Sequence, residues 1–316
     1  MTSPPILDPD IRRLLVTVFA NAPDSVQTDV ARLRAAAEEA PRLLGGEPEA
    51  MGSVEDSQAP GPAGSIPLRI YRPDATAPLP LVLYAHGGGW VTGSLDSHDR
   101  LCRMLARRLR AVLVAVAYRC APEHVFPAAL DDVEAAWRWA RGQAVALGAD
   151  GSRFAFAGDS SGANLVAALT LRLRASRAPQ PRLQLLLYPA LDAACSRASY
   201  REFATGYNLA GAQMAWYWDV YRASAAPETP ELSPLTAADL AGLPPAVIAV
   251  AEGDVLRDDG LDYARRLEDA GVPVRLITCA GMIHGFLRWT GAVHAARRWM
   301  DEIGAAARDM LQPAAG

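Results

Sequence analysis

Phe154-Ala155-Phe156-Ala157-Gly158-Asp159-Ser160-Ser161-Gly162-Ala163-Asn164-Leu165-Val166 is the stretch on which the fold turns. Its first four residues form a continuous apolar run, as in a strand buried on both faces. From Ala163 to Ala175 apolar residues recur at helical spacing. Between the two, Gly158, Ser160 and Gly162 make a GxSxG turn. A serine at such a strand-to-helix corner is presented outward, and small neighbours let the two backbones approach closely. The helix N-terminus offers N–H groups and positive potential to an anion developing beside it. A GxSxG pentapeptide by itself is as easily a plain Gly/Ser connection. The strand before it and the helix after it make Ser160 a candidate nucleophile.

Outward from this corner the same alternation continues. Apolar runs at Leu81–Ala85, Val112–Ala117, Phe154–Ala157, Leu183–Tyr188, Ala246–Ala251 and Val274–Thr278 predict strands. Longer periodic segments at Ser97–Arg110, Ala128–Leu147, Ala163–Ala175, Leu256–Ala270 and Ala292–Leu311 predict helices. The pattern implies an α/β protein with a mostly parallel, doubly wound sheet and right-handed crossovers. Residues 51–80 are rich in Gly, Pro, Ser and Ala, and within them Ile66–Tyr71 alternates as an edge strand would. Ahead of it, Ile11–Ala20 and Val26–Leu44 predict helices, the second stopped by Gly45-Gly46.

One interval breaks the rhythm. More than fifty residues separate Tyr188 from Ala246, and they carry Phe203, Tyr207, Trp216, Tyr217, Trp218 and Tyr221. Residues 1–50 and 195–230 are expected to form a helical cap, with 51–194 and 231–316 making one α/β unit. Ligands of open α/β sheets sit beyond the carboxyl ends of the strands. The cap aromatics therefore either line a pocket there or pack the cap's own core.

Composition narrows the function. The 316 residues carry a net charge of -4, with 51% hydrophobic and 21% charged residues, an ordinary globular balance. Acidic and basic residues are interspersed without a basic stripe, which argues against nucleic acid. MTSPPILDPDIRR at the start lacks the basic and apolar regions of a secretory signal, and no apolar run is long enough for a membrane span. Cys102, Cys120, Cys195 and Cys279 are scattered without a CxxC pair. They read as small hydrophobes of a reduced, cytoplasmic protein rather than a disulfide frame or metal site. The wealth of Ala and Arg is the compositional mark of a GC-rich bacterial genome.

Two further segments carry chemistry. His86-Gly87-Gly88-Gly89-Trp90 follows a predicted strand, and three successive glycines suit a loop whose backbone must approach something closely. Without a following GK[ST], it is no phosphate loop. Its Gly87 and Gly88 N–H groups, with that of Ser161, could cradle an oxyanion beside Ser160. Where such an elbow occurs in a doubly wound sheet, the chain order is nucleophile, acid, histidine. Only His284 and His294 follow Ser160. His294 falls within a helical run, whereas His284 sits in the glycine-flanked loop after the last strand and is the better base. For the acid, Asp192, Glu252 and Asp254 all follow strands, and spacing leaves Asp192 and Asp254 as rivals.

HGGGW, YRCAPEHVFPAALDD, GDSSGAN, SPL, LPPAVIAVAEGDVLRDDG, YARRLEDAGV and IHGF occur in this order between Leu81 and Phe286. Together they resemble blocks of the hormone-sensitive lipase family, the bacterial family IV esterases of the α/β-hydrolase superfamily. The resemblance implies an α/β-hydrolase fold, a sheet of about eight strands under a helical cap, and a serine carboxylesterase acting on small or short-to-medium acyl esters. It makes Asp254 the acid beside Ser160 and His284, and His86, Glu123 and Asp159 supporting residues. Trp90, Tyr188, Tyr207, Trp216 and Phe286 are then candidates for the substrate pocket. The likeness implies no metal or cofactor, and a homodimer paired through the last strand. Departures from the family pattern are Ser161 for Ala, Ala163 for Gly, and Val255 for Pro. Amide or lactone cleavage and acyl transfer would use the same site. A non-catalytic receptor on this fold is disfavoured by the retained histidine.

Overall fold

The apolar runs become strands of one eight-stranded sheet ordered β1-β2-β4-β3-β5-β6-β7-β8, five of them inner and Val274–Thr278 at its far edge. The strands are β1 (Ser53–Gly61), β2 (Gly64–Arg72), β3 (Leu79–Ala85), β4 (Val112–Val116), β5 (Ala149–Asp159), β6 (Leu183–Leu187), β7 (Ala246–Gly253) and β8 (Val274–Ile283). Pairing is parallel from β4 through β8, while β1–β2 and β2–β4 are antiparallel. This is an α/β-hydrolase sheet. The computed structural model describes residues 5–21, 29–76 and 78–311.

The sheet corrects one expectation. Ile66–Tyr71 lies within β2, which is flanked on both sides; the edge is β1. Ser-Val-Glu-Asp-Ser-Gln-Ala-Pro-Gly gives β1 no apolar alternation, and of its nine residues only Ala59 is buried. Its pairing comes from backbone bonds along the whole of β2, and Pro60 is tolerated because an edge strand has a free side.

Helices cover both faces. On one face α1 (Pro9–Thr17), α3 (Asp99–Leu109) and α9 (His294–Leu311) bury Ile11, Leu105 and Ile303 against the sheet. On the other, α4 (Ala128–Gly142), α5 (Ser161–Ala175) and α8 (Arg257–Asp269) bury Val133, Leu169 and Leu267. The predicted helix Val26–Leu44 appears as α2 (Val30–Leu44), capped by the Asp29 carboxylate accepting from Arg32 N–H at 2.9 Å. Its expected first residues, 26–28, lie outside the described residues. The interval after β6 holds α6 (Ser199–Glu202) and α7 (Gly211–Arg222).

This interval reaches the carboxyl ends of the strands. A Cβ on Gly89, past β3, would stand 2.3 Å from the Tyr217 ring of α7, and one on Gly253, ending β7, 3.0 Å from Tyr207. Among the described residues, no helix is long and apolar enough to cross a membrane. Cys102 and Cys279 are buried, Cys120 and Cys195 partly so, and all four are unpaired.

Candidate active site

Ser160 sits between the last residue of β5 and the first of α5 with φ 55° and ψ -120°. That is a costly conformation for a residue with a side chain. The surroundings over-determine it. Ser160 N–H donates to Leu187 O at 2.8 Å, and its carbonyl accepts from Asn164 N–H at 3.1 Å. A Cβ on Gly158 would lie 2.5 Å from the Gly162 carbonyl, and one on Gly162 would lie 2.1 Å from Ala85 O. Both glycines of the pentapeptide are thus demanded by backbone contacts.

His284 follows β8 and Asp254 follows β7, which pairs with it. His284 Nδ1 stands 2.7 Å from Asp254 Oδ2, and Nε2 stands 2.9 Å from Ser160 Oγ. An ionised carboxylate only accepts, so the Nδ1 proton belongs to this bond and Nε2 is left to accept from the serine hydroxyl. Asp254 is buried and its Oδ1 accepts from Leu256 N–H at 2.9 Å, which fixes the carboxylate plane. Tyr188 packs edge-on against the imidazole at 4.9 Å.

The rival acids are engaged elsewhere. Asp192 accepts from Ala194 N–H, Ser196 N–H and Ser196 Oγ, stapling its own loop. Glu252 accepts from Gly281 N–H at 2.7 Å. Neither has a bond to His284.

The glycine loop differs from expectation in one respect. Gly87 N–H donates to Asp159 Oδ1 at 2.7 Å, so it is not free for an oxyanion. Gly88 and Gly89 instead line the cavity with Ser160 and His284. Their peptides are clamped by the carbonyl side. His86 Nδ1 donates to Gly87 O at 2.8 Å, and Gly88 O accepts from Thr92 N–H at 2.9 Å and Thr92 Oγ1 at 3.0 Å. In a trans peptide N–H points opposite to C=O, so each clamp turns the N–H of Gly88 or Gly89 away from its anchor. Those two N–H groups have no acceptor among the described residues. Asp159 next to the serine is the signal in the sequence that could have warned of the loss of Gly87.

Asp159 is the hub behind this loop. It also accepts from Tyr84 OH, and His98 Nε2 stands 3.5 Å from it. Burial alone would raise its pKa; the neighbouring His98, the Arg288 charge and the Tyr84 bond prevail and hold it well below the usual carboxylate range. His86 stacks on Tyr118 at 4.3 Å, and burial, with His98 nearby, pulls its pKa down to about 3. Glu123, expected as a supporting residue, is half-exposed and pairs with Arg34 of α2 at 2.6 Å. Arg34 also donates to Val91 O and Ala121 O, so the pair ties α2 to the loops after β3 and β4.

A narrow cavity of about 120 Å³ opens over Ser160. Its outer wall is Leu209, Met214 and Tyr217 with Asn208, Gln213 and Arg288, of which only Tyr217 is among the aromatics that the sequence offers as lining or packing. None of the five expected pocket residues is among those that line it. Trp90 is core, stacked on Tyr221 at 4.4 Å and 1° and tilted against Trp218. Tyr188 lies against His284 with Phe286 behind it, Tyr207 packs on Phe203, and Trp216 packs on Tyr217. Aromatic side chains satisfy either role, so residue type could not separate lining from packing.

A serine hydroxyl bonded to a histidine that is bonded to a buried aspartate, on this sheet, defines an α/β-hydrolase with a Ser-His-Asp site. Comparisons with known proteins agree. A family profile described as alpha/beta hydrolase fold matches residues 82–288. The chain is 41% identical over 257 residues to ethyl acetate hydrolase of Pseudomonas putida, covering 79% of this chain and 81% of that protein. It is 41% identical over 306 residues to carboxylesterase NlhH of Mycobacterium tuberculosis, covering 92% of each. A solved thermostable esterase from Pseudomonas putida ECU1011 superposes with a TM-score of 0.93 at 35% identity, covering 99% of this chain and 100% of that one. The chain belongs to the hormone-sensitive lipase type of the α/β-hydrolase family, as its motifs implied.

Proposed function

We propose that Ser160, His284 and Asp254 are the nucleophile, base and acid of a serine carboxylesterase acting on small esters. Family and fold make the protein an ester hydrolase, and the hydrogen-bonded run from Ser160 Oγ through His284 to Asp254 is the observation that carries the assignment. Ser160 Oγ attacks the ester carbonyl while His284 Nε2 takes its proton, and Asp254 stabilises the imidazolium. The N–H groups of Gly88, Gly89 and Ser161 receive the oxyanion, aided by the N-terminus of α5. His284 then protonates the departing alkoxide. In the second half it activates a water that releases the acid from the acyl-enzyme.

The narrow cavity supports short acyl chains; of the cap expected from residues 1–50 and 195–230, Leu209, Met214 and Tyr217 wall this cavity, whereas Phe19, Leu33 and Leu43 wall an outer one. The four unpaired cysteines support a reduced, cytoplasmic setting. The test is hydrolysis of p-nitrophenyl acetate, butyrate, octanoate and palmitate by the wild type and by Ser160→Ala. Cleavage of the short esters, lost to background in the variant, is expected. A folded wild type inactive on all four, or an active variant, would overturn the reading.

A further inference from the structure

Arg288 lies four residues beyond His284, closing the 3-10 turn Phe286–Arg288. Its guanidinium folds back over the residue next to the imidazole: a Cβ on Gly285 would meet Nη2 at 3.3 Å and Nε at 3.8 Å. The Nε is buried without a hydrogen-bond partner. Other partly buried arginines here are matched, Arg119 by Asp132 at 2.9 Å, Arg172 by Glu231 at 2.6 Å, and Arg266 by the Leu235 and Ala237 carbonyls. Arg288 has no ion pair or aromatic face among the described residues. A fixed cation left unpaired at the base of a cleft is poised for an anion from outside.

Its position says where that anion would lie. Arg288 lines the cavity over Ser160 and also a second, outer cavity of about 360 Å³. Asn208, Gln213 and Tyr217 border both cavities, so these residues mark the passage between them. The outer walls are mostly apolar, with Phe19, Leu33, Leu43 and Trp289. The acids near the passage do not satisfy Arg288. Glu39, on the outer wall, is exposed and makes no ion pair with it. Asp159 is already occupied by Tyr84 and Gly87. Arg288 is nonetheless close enough that its charge helps hold the Asp159 carboxyl ionised.

We propose that Arg288 is a specificity residue that binds a carboxylate on the substrate, so that the enzyme prefers half-esters of dicarboxylic acids over neutral esters of the same size. The inference rests on the esterase reading for the scissile bond, and adds the second, uncleaved carboxylate. With Ser160 attacking the ester carbonyl, that carboxylate sits a few bonds away in the passage, on the guanidinium. A planar guanidinium offers two parallel donors to it.

The test compares monoethyl succinate with ethyl butyrate, by proton release, in the wild type, Arg288→Gln and Arg288→Lys. The wild type is expected to favour the half-ester in kcat/KM. In Arg288→Gln the ratio of the two kcat/KM values should fall by about tenfold or more, the usual worth of a charge-assisted bond. Arg288→Lys should keep part of the preference. The ratio cancels any loss of folded protein. Calorimetric titration of the Ser160→Ala protein with monoethyl succinate, with and without Arg288→Gln, reads the anion site without catalysis. An unchanged ratio, or equal affinity in the two titrations, would overturn the proposal. If neither ester is cleaved but binding still depends on Arg288, the carboxylate site stands and the esterase reading falls.

Discussion

The turn around Ser160 and the helix α7 above it face the same cavity but hold their side chains by different means. Around Ser160 the contacts are backbone on backbone: Gly162 has Ala85 O where a Cβ would be, and Ser160 N–H donates to Leu187 O. In α7 the contacts are ring on ring. Trp218 packs on Trp90, Tyr221 stacks on it, and Tyr217 covers Gly89. Backbone contacts tolerate almost no change of residue, whereas a ring in a packed layer can be exchanged at moderate cost. The lower region therefore sets the reaction. The upper one sets what reaches it.

The sharpest way to break this contrast is at the acid. Asp254→Asn keeps the shape of the site but loses the acceptor that holds Nδ1–H, so Nε2 can present a proton to Ser160 instead of accepting one. A fall in kcat of about 10⁴-fold is expected, the size of this defect in serine hydrolases. Asp192→Asn disturbs the staple to Ser196 and should lower the melting temperature without a comparable loss of kcat. Stopped-flow or steady-state rates on p-nitrophenyl butyrate decide between them. Similar losses in both variants would mean that hydrogen bonding at Asp254 is not what orients the base.

The support beneath the glycine loop should be visible as a pH effect. An unfolded histidine titrates near 6.5, whereas His86 is held down to about 3 by burial and by His98. Above 6.5 both states are neutral and His86 adds no pH dependence. As pH falls through 6.5 the unfolded chain takes up a proton that the folded chain refuses, so stability drops until about pH 3. Over the whole window this amounts to a few kcal/mol, on the order set by one unit of pKa per ~1.4 kcal/mol. Asp159, with its pKa held low, adds a further loss only below the ordinary carboxylate range. Replacing His86 by Gln should flatten melting temperature against pH between about 6.5 and 4. An unchanged slope would assign the acid sensitivity to another group.

The same contrast explains what was legible in the sequence. Parallel strands buried on both faces announce themselves as apolar runs, and the elbow glycines are readable because close backbone contacts admit no other residue. His284 followed from its place after the last predicted strand. Asp254 did not follow from spacing, because Asp192 and Glu252 occupy equivalent strand ends and only the bond to Nδ1 distinguishes them. Gly87 reads as an oxyanion donor because a run of three glycines does not say which N–H is already used. Strand β1 was invisible since an edge strand can be held by its backbone alone. Arg288, Asn208 and Gln213 carry no motif, and their meeting depends on how the chain after β6 folds back over the ends of β7 and β8.

The smallest effect belongs to α7, and it separates two neighbours. Trp216 is partly exposed, and its described ring contact is Tyr217 at 5.1 Å. Tyr217 is buried against Gly89 and borders both cavities. Truncating Tyr217 to Ala should join the cavities and shift preference toward longer acyl chains. The octanoate-to-butyrate ratio of kcat/KM is expected to rise about tenfold, as when a few methylenes gain room in an apolar pocket. Trp216→Ala should change that ratio by less than about twofold, because lining and not aromaticity decides chain length. Tyr217 covers the oxyanion loop as well, so its variant should lose rate on acetate, where no added room is used. Equal profiles in the two variants would show that α7 moves as a unit. The passage would then be gated by the helix rather than by one ring.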